Sequence, residues 1–447
     1  VTIRGFHTPA GYASIRAMGL LFRVALAKVL DARVASGGWT LALAATIAAG
    51  CVSAPREKPE GIATRYASDA RAMCELVPKV YLQFDTRAAH WGEACSQALA
   101  EAAAVTTAQQ GTTMLEHLVE ALWDHHASLG VNTDVSPWLV PSGSDMWWEL
   151  RGAAVYLTGV RRAGAADRAG VRPGDVILSM NGLSPQEAAR ARIRTSAEDV
   201  SPERMAWALN AAGAGFRDQP RRLVLIRDGE RITVELGEPA PPPSEALVSG
   251  HMIGDVGYIR FNDSLGHADA VAAFDAAVER MRAAKGWIID VRDTPSGGST
   301  DVAEPIMGRF VTAAAGYQLT QPLRAPASVR QIEPRGPWTL SGPLAVLAGR
   351  WTGSMGEGMA IGFDGMARGS VVGGPMAGLA GGVDVFTLPA TDTDLRLPAY
   401  GLAHVDGTPR QRWAPKERVQ PDSGGSDDPA LARALQLVSS PQQGPGR

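Results

Sequence analysis

Trp351-Thr352-Gly353-Ser354-Met355-Gly356-Glu357-Gly358-Met359-Ala360 lies between two contrasting stretches of sequence. An apolar, strand-like run, Pro343-Leu344-Ala345-Val346-Leu347-Ala348-Gly349, precedes it, and helix-like sequence continues through Met359-Ala360-Ile361-Gly362-Phe363. A serine at a strand-to-helix junction holds its hydroxyl at the positive end of a helix dipole, beside N–H groups that lack a helical acceptor. Acyl-transfer enzymes put a nucleophile in such a place because an oxyanion formed there is stabilised at once. Ser354-x-x-Glu357 is equally a capping box, which by itself only begins a helix.

Upstream, Trp287-Ile288-Ile289-Asp290-Val291-Arg292 reads as a buried strand leading into Asp293-Thr294-Pro295-Ser296-Gly297-Gly298. A Gly-Gly pair turns the backbone sharply and exposes N–H groups without side-chain obstruction. In isolation it is an ordinary loop; beside a reactive serine it offers a second oxyanion donor. Val256-Gly257-Tyr258-Ile259-Arg260-Phe261 reads as another strand, and residues 268–284 as a helix with Val271, Phe274, Val278 and Met281 on one stripe. Such strand–helix alternation predicts an α/β core, over residues 248–422. Beyond it, 423–447 reads as a polar tail with a short helix near 428–437.

The region before the core divides again. Residues 61–130 read as a helical domain, with Met73, Leu76, Val77, Val80 and Tyr81 at three- and four-residue spacing. Residues 136–238 contain Ala166-Asp167-Arg168-Ala169-Gly170-Val171-Arg172-Pro173-Gly174-Asp175-Val176-Ile177-Leu178-Ser179-Met180-Asn181-Gly182: a helix, a turn, a strand and an Asn-Gly turn. This closely resembles the signature of a PDZ domain, with Arg222-Leu223-Val224-Leu225-Ile226-Arg227-Asp228-Gly229 as its late hairpin. PDZ domains bind extended peptides or the C-termini of proteins by adding a strand to a sheet edge. A long insertion in the helix, about 187–214, is expected to alter that groove. Gly237-Glu238-Pro239-Ala240-Pro241-Pro242-Pro243 is a stiff linker.

With 447 residues the protein is long enough for two to four domains. A net charge of -3 with scattered arginine argues against nucleic-acid binding. Residues 1–50 read as a leader: Arg23, Lys28 and Arg33 precede the short apolar run Trp39-Thr40-Leu41-Ala42-Leu43-Ala44-Ala45-Thr46-Ile47-Ala48-Ala49-Gly50-Cys51. Ala48-Ala49-Gly50-Cys51 resembles a bacterial lipobox, although Ala48 stands where leucine is usual; a plain cleaved signal with Cys51 incidental is the other reading. The lipobox reading implies a protein of the bacterial envelope or periplasm, anchored to a membrane through lipid on Cys51. Cys74 and Cys95 then remain as an even pair, either a disulfide or two buried thiols.

PDZ-like sequence, then a strand ending in Asp-x-Arg-x-x-x-x-Gly-Gly, then a strand leading into Thr-x-Ser-x-x-Glu together resemble the tail-specific, or C-terminal processing, serine proteases. The likeness runs from about Ala67 to Asp422 and includes Tyr81-Leu82-Gln83-Phe84-Asp85 and Trp91 in the helical region. It implies a crotonase-like core with an inserted PDZ domain, Ser354 as nucleophile, oxyanion N–H groups from Gly298 and Met355, and no metal or organic cofactor. In the bacterial branch a lysine follows inside Gly-x-x-x-x-Gly-Lys-Gly; here that stretch is Gly373-Gly374-Pro375-Met376-Ala377-Gly378-Leu379-Ala380. Leu379 accepts no proton, so a Ser–Lys dyad is excluded there.

The tricorn-like branch uses a histidine from before the core, and Leu122-Trp123-Asp124-His125-His126-Ala127-Ser128-Leu129 resembles its motif. The resemblance implies His126 as general base, a residue type suited to proton transfer near neutral pH; otherwise His125 and His126 are solvated or structural. The family's late acidic residue corresponds best to Asp406 in Ala403-His404-Val405-Asp406-Gly407, where Asp-Gly is also a hairpin turn. The expected activity is serine endopeptidase on protein or peptide substrates, captured by their C-termini through the PDZ region. The alternatives are an inactive binding protein on the same fold and a PDZ-type scaffold.

Overall fold

In the computed structural model, residues 2–4, 61–194, 200–241, 244, 246–419 and 428–439 are described. Cys51 and, apart from residues 2–4, the leader lie outside them. The unit that runs from Ile62 to the C-terminus has a mixed α/β architecture.

Its central sheet is built on the apolar runs read from sequence. The strands are ordered Glu417–Arg418, Ser370–Gly373, Leu344–Ala348, Gly286–Asp290, Val256–Phe261 and Val248–Ile253. All neighbours are parallel except the last pair. A parallel sheet needs helices on both faces, which is why its central strands are apolar at nearly every position. Ile289 and Val346 face Phe274, Ile306 and Met359 on one side. Ile288, Ala345 and Leu347 face Ala430, Ala434 and Val438 on the other.

The helix expected near 428–437 is present as Pro429–Ser439, and it covers the back of the sheet. Its anchor is electrostatic as well as apolar, with Asp428 accepting from Arg292 Nη1 at 2.8 Å. Gly/Ser-rich sequence before the helix masks its apolar stripe when composition is averaged over the whole segment.

Three long helices, Ile62–Val80, Trp91–Ala102 and Ala108–Glu120, form the expected helical region. Thr107 and Gln110 close a capping box at the start of the third. Cys74 and Cys95 form a disulfide between the first two. The region has no private core: Met73, Leu115 and Leu118 pack in one cluster with Phe386, Leu395 and Leu397. Those last residues come from a second sheet, in which Gly382–Thr387, Asp394–Ala403, Ala315–Pro322 and Ser328–Ile332 are antiparallel neighbours. Ser128–Leu129 pairs with Leu395 and Arg396 of that sheet, which ties the backbone just after His126 to the core.

Residues 146–236 form a separate five-stranded antiparallel sheet. The insertion resolves into two helices, Pro185–Arg192 and Pro202–Ala214, each opened by a serine cap and a proline. The second lies against the edge strand Met146–Arg151. Asn210 Oδ1 accepts from Trp148 N–H at 2.9 Å, and Asn210 Nδ2 donates to Trp148 O at 3.1 Å. Gly213 makes the approach possible, since a Cβ there would lie 2.7 Å from the Trp148 indole.

Candidate active site

Two neighbouring parallel strands, Gly286–Asp290 and Leu344–Ala348, end on the same side of the sheet. In open α/β sheets that carboxyl edge is where ligands bind. The loops beyond them are sewn together. Thr294 N–H donates to Trp351 O at 3.0 Å, and Gly353 N–H donates to Thr294 O at 3.2 Å. Thr352 Oγ1 donates to Val291 O and accepts from Gly349 N–H, each at 2.9 Å. The threonine two residues before Ser354 is therefore a buried fastener between the loops.

Ser354 leaves this junction with φ +49° and ψ -108°. A non-glycine residue there is strained, typically by about 1–3 kcal/mol, and such strain collects at functional sites. A sharp strand-to-helix turn of this kind lifts a serine hydroxyl clear of the backbone. Met355 begins the helix that runs to Gly365, so its N–H is among those with no helical acceptor.

The Gly-Gly pair lies against this turn. A Cβ on Gly297, whose φ is +67°, would lie 2.5 Å from Ser354 Cβ and 3.1 Å from its Oγ. A Cβ on Gly298 would lie 2.2 Å from the Leu265 carbonyl carbon. Leu265 pairs with Gly297 O and Ser299 N–H, which turns the intervening Gly298 N–H away from Leu265.

His126 reaches Ser354 from the far end of the helical region. Its Nε2 lies 3.0 Å from Ser354 Oγ, and its Nδ1 lies 2.9 Å from the carbonyl oxygen of Ala380. A carbonyl only accepts, so Nδ1 carries the proton and Nε2 presents its lone pair to the serine hydroxyl. Burial, with the Arg410 cation second, pushes the imidazole down to about 4. Asp124 takes His126 N–H at 2.9 Å, and is itself held by Tyr81 O–H at 2.7 Å. It fixes the backbone of the histidine and not its ring. His125 points elsewhere, against Trp207 with ring centroids 5.9 Å apart, and burial lowers it to about 3.

The expectation for Asp406 fails. Its Oδ1 lies 2.9 Å from His404 Nδ1, its side chain is 57% exposed, and both ring nitrogens of His126 are already engaged elsewhere. It also accepts from Thr408 N–H at 2.8 Å, so the Asp-Gly turn is its structural role.

Sequence reasoning marked Glu357 only as a helix cap and did not mark Arg410. Glu357 caps Ser354 N–H at 2.8 Å, as a capping box requires, but its other oxygen accepts from Gly378 N–H at 2.9 Å. Burial pushes that carboxyl up to about 7, while Arg410 and the N–H donors pull it down. Arg410, also fully buried, donates to Leu379 O at 2.9 Å and Gly381 O at 2.7 Å. Leu379, where the family's lysine would stand, is buried and touches Glu357 through its N–H. Only contact with a distant turn distinguishes Glu357 from an ordinary cap, and Arg410 has no motif around it.

Residues flanking the first two strands of the five-stranded sheet touch both loops. Arg161 Nη2 donates to Asp293 Oδ1 at 2.8 Å, and Trp351 Nε1 donates to Ser144 O at 2.8 Å.

Residues 255–424 match the model of Peptidase family S41. Among solved structures, the protein is similar to mature CPAF, with TM-score 0.55 and 13% identity over 81% of this chain and 94% of that one. Mature CPAF complexed with lactacystin gives TM-score 0.54 and 14% identity, over 81% and 95% of the two chains. The photosystem II D1 C-terminal processing protease aligns over 85% of this chain and 98% of its own, at 17% identity and TM-score 0.48. No curated protein matches the sequence. Residues 255–424 thus match a Peptidase family S41 domain.

Proposed function

We propose that the protein is an exported serine endopeptidase with Ser354 as nucleophile and His126 as general base. One observation carries the reading: His126 Nε2 lies 3.0 Å from Ser354 Oγ while Nδ1 is tied to a carbonyl, the tautomer that general-base catalysis needs. Nε2 takes the hydroxyl proton as Oγ bonds to the peptide carbonyl carbon. The tetrahedral oxyanion is held by the N–H groups of Met355 and Gly298. Nε2–H then protonates the leaving amine as the C–N bond breaks. Water, losing its proton to Nε2, adds to the acyl carbon; the C–Oγ bond then breaks, releasing the acid, and Nε2–H returns the proton to Ser354 Oγ. Because the imidazole titrates near 4, it is neutral and competent at neutral pH.

The core is read as crotonase-like, and the sheet of residues 146–236 as a PDZ domain that receives protein substrates, by their C-termini where possible. Strand addition at Met146–Arg151 meets an obstacle, because Asn210 already bonds the central N–H and C=O of that edge. A captured peptide has to displace it. An oxidising compartment fits the Cys74–Cys95 disulfide, and Cys51 is the proposed lipid attachment point in a bacterial envelope. Mass spectrometry of the mature N-terminus tests that point: a modified Cys51 at the first position is expected, and an unmodified start elsewhere refutes it.

The rival is a binding protein on the same fold without turnover, favoured by the lack, among the described residues, of a carboxylate bonded to the His126 ring. A fluorophosphonate probe decides between them. Rapid labelling that disappears in Ser354→Ala supports the peptidase; a parent protein that does not label leaves the binding protein.

A further inference from the structure

The turn 378–381 is gripped from both sides by buried charge. Glu357 accepts from the N–H groups of Gly378 and Leu379, at 2.9 and 3.3 Å. Arg410 donates to the carbonyls of Leu379 and Gly381, at 2.9 and 2.7 Å. Between those two carbonyls is that of Ala380, which His126 Nδ1 meets at 2.9 Å. The two charged groups approach to 3.9 Å and are 0–2% exposed. Desolvating such a pair is costly unless each partner has further hydrogen bonds, and here the turn supplies them.

We infer that Glu357 and Arg410 are positioning residues, holding this turn so that the Ala380 carbonyl, in place of a carboxylate, orients His126. The inference rests on the peptidase reading only for its effect on rate. A carbonyl fixes the tautomer and the ring plane as a carboxylate does. It brings no negative charge to offset the imidazolium that forms when the serine proton is transferred. The charged groups around the ring are Asp124, which bonds its backbone N–H, and Arg410, with Glu357 beyond it. The nearer cation disfavours imidazolium. The arrangement therefore exchanges rate for a base that stays neutral into acidic solution.

The test is ¹⁵N-histidine NMR of the full-length protein, with the His126 signal identified by its loss in His126→Gln, beside fluorophosphonate labelling against pH. The parent is expected to show Nδ1–H, with a titration midpoint near 4. Arg410→Gln should raise that midpoint by about one unit, since the nearby cation is gone. Its labelling plateau should fall about 100-fold as the ring loses its setting. Arg410→Lys keeps the cation but loses the planar fork on two carbonyls, so its midpoint should stay low while labelling still falls about tenfold. A merely structural arginine would not separate these two readouts.

An Nε2–H tautomer in the parent overturns the inference, as does Arg410→Gln with midpoint and labelling both unchanged. If neither variant folds, the parent's tautomer decides alone. A parent that is Nδ1–H with a low midpoint, yet never labels, refutes the peptidase and leaves the positioning of His126 intact.

Discussion

Two histidines of this molecule divide between them the features of a catalytic triad. His404 has the carboxylates: Asp406 at 2.9 Å from Nδ1 and Asp364 at 3.3 Å from Nε2. It packs near the Trp413 ring and, among the described residues, has no serine hydroxyl or thiol on either nitrogen. The His126 ring has the Ser354 hydroxyl and the Ala380 carbonyl, with no carboxylate on it among the described residues. Residue types alone would rank His404 as the better base. Geometry reverses the ranking, because a base must reach the proton it abstracts. The loops around Ser354 are also fastened at every turn, whereas Asp406 sits in an exposed hairpin whose carboxyl is held down near 2 by Thr408 N–H and then His404.

The sharpest way to break this comparison is to remove the Ser354 hydroxyl. Ser354→Ala should lower peptide hydrolysis by about 10⁴-fold or more and abolish probe labelling, with the fold retained. Hydrolysis of a tagged peptide at the parent rate would remove Ser354 from the chemistry. The proposed base comes next. His126→Ala should cost about 10³-fold, against a few-fold for His125→Ala, whose ring lies against Trp207. Equal losses in the two variants would put the base elsewhere.

Acid should expose the same contrast without mutation. His126 titrates near 4 instead of the ordinary 6.5. If it is the general base, its neutral form is the active one, so activity should be full above that point and be lost as pH falls through about 4. An acid limb at 6 to 7 in the rate profile would mean a base in an ordinary aqueous setting.

What could be read in the sequence was what the backbone imposes locally. The apolar runs at Leu344–Ala348 and Gly286–Asp290 became adjacent strands, and the glycines at 297 and 298 fit spaces that admit no Cβ. Ser354 and His126, more than 200 residues apart in sequence, are found together. The resemblance linked them; periodicity would not have. Illegible were the contacts made by main chain or across long separations. The Ala380 carbonyl belongs to every residue type and so leaves no trace. Glu357 was legible as a cap, but its second oxygen serves a turn 21 residues away. The apolar face of Pro429–Ser439 was diluted by its neighbours, and Asp406 was misassigned because position in the sequence stood in for position in space.

A milder change probes the sheet edge, which differs from the active-site loops in being sealed by one side chain. Asn210→Ala leaves the Trp148 N–H and C=O without their partner, an expected loss of about 1–3 kcal/mol in denaturant unfolding. It also frees the edge for an added strand. Tighter binding of a fluorescent C-terminal peptide by this variant than by the parent would support capture at Met146–Arg151. Binding that is weaker or unchanged would move substrate capture to another surface.

The smallest expected effect is the most discriminating for the two histidines. Asp406→Asn retains a carbonyl oxygen to accept from Thr408 N–H, so the turn should hold while the charge beside His404 is lost. If His126 is oriented by Ala380, this exchange should leave hydrolysis and its acid limb unchanged within about twofold, as for other surface substitutions remote from the chemistry. The side chain is 57% exposed, so the charge is well screened by water and reaches His126 only weakly. A tenfold loss with an intact melting temperature would return Asp406 to the catalytic machinery. It would require the 403–409 hairpin to move onto His126 when substrate binds, displacing the Ala380 carbonyl from Nδ1.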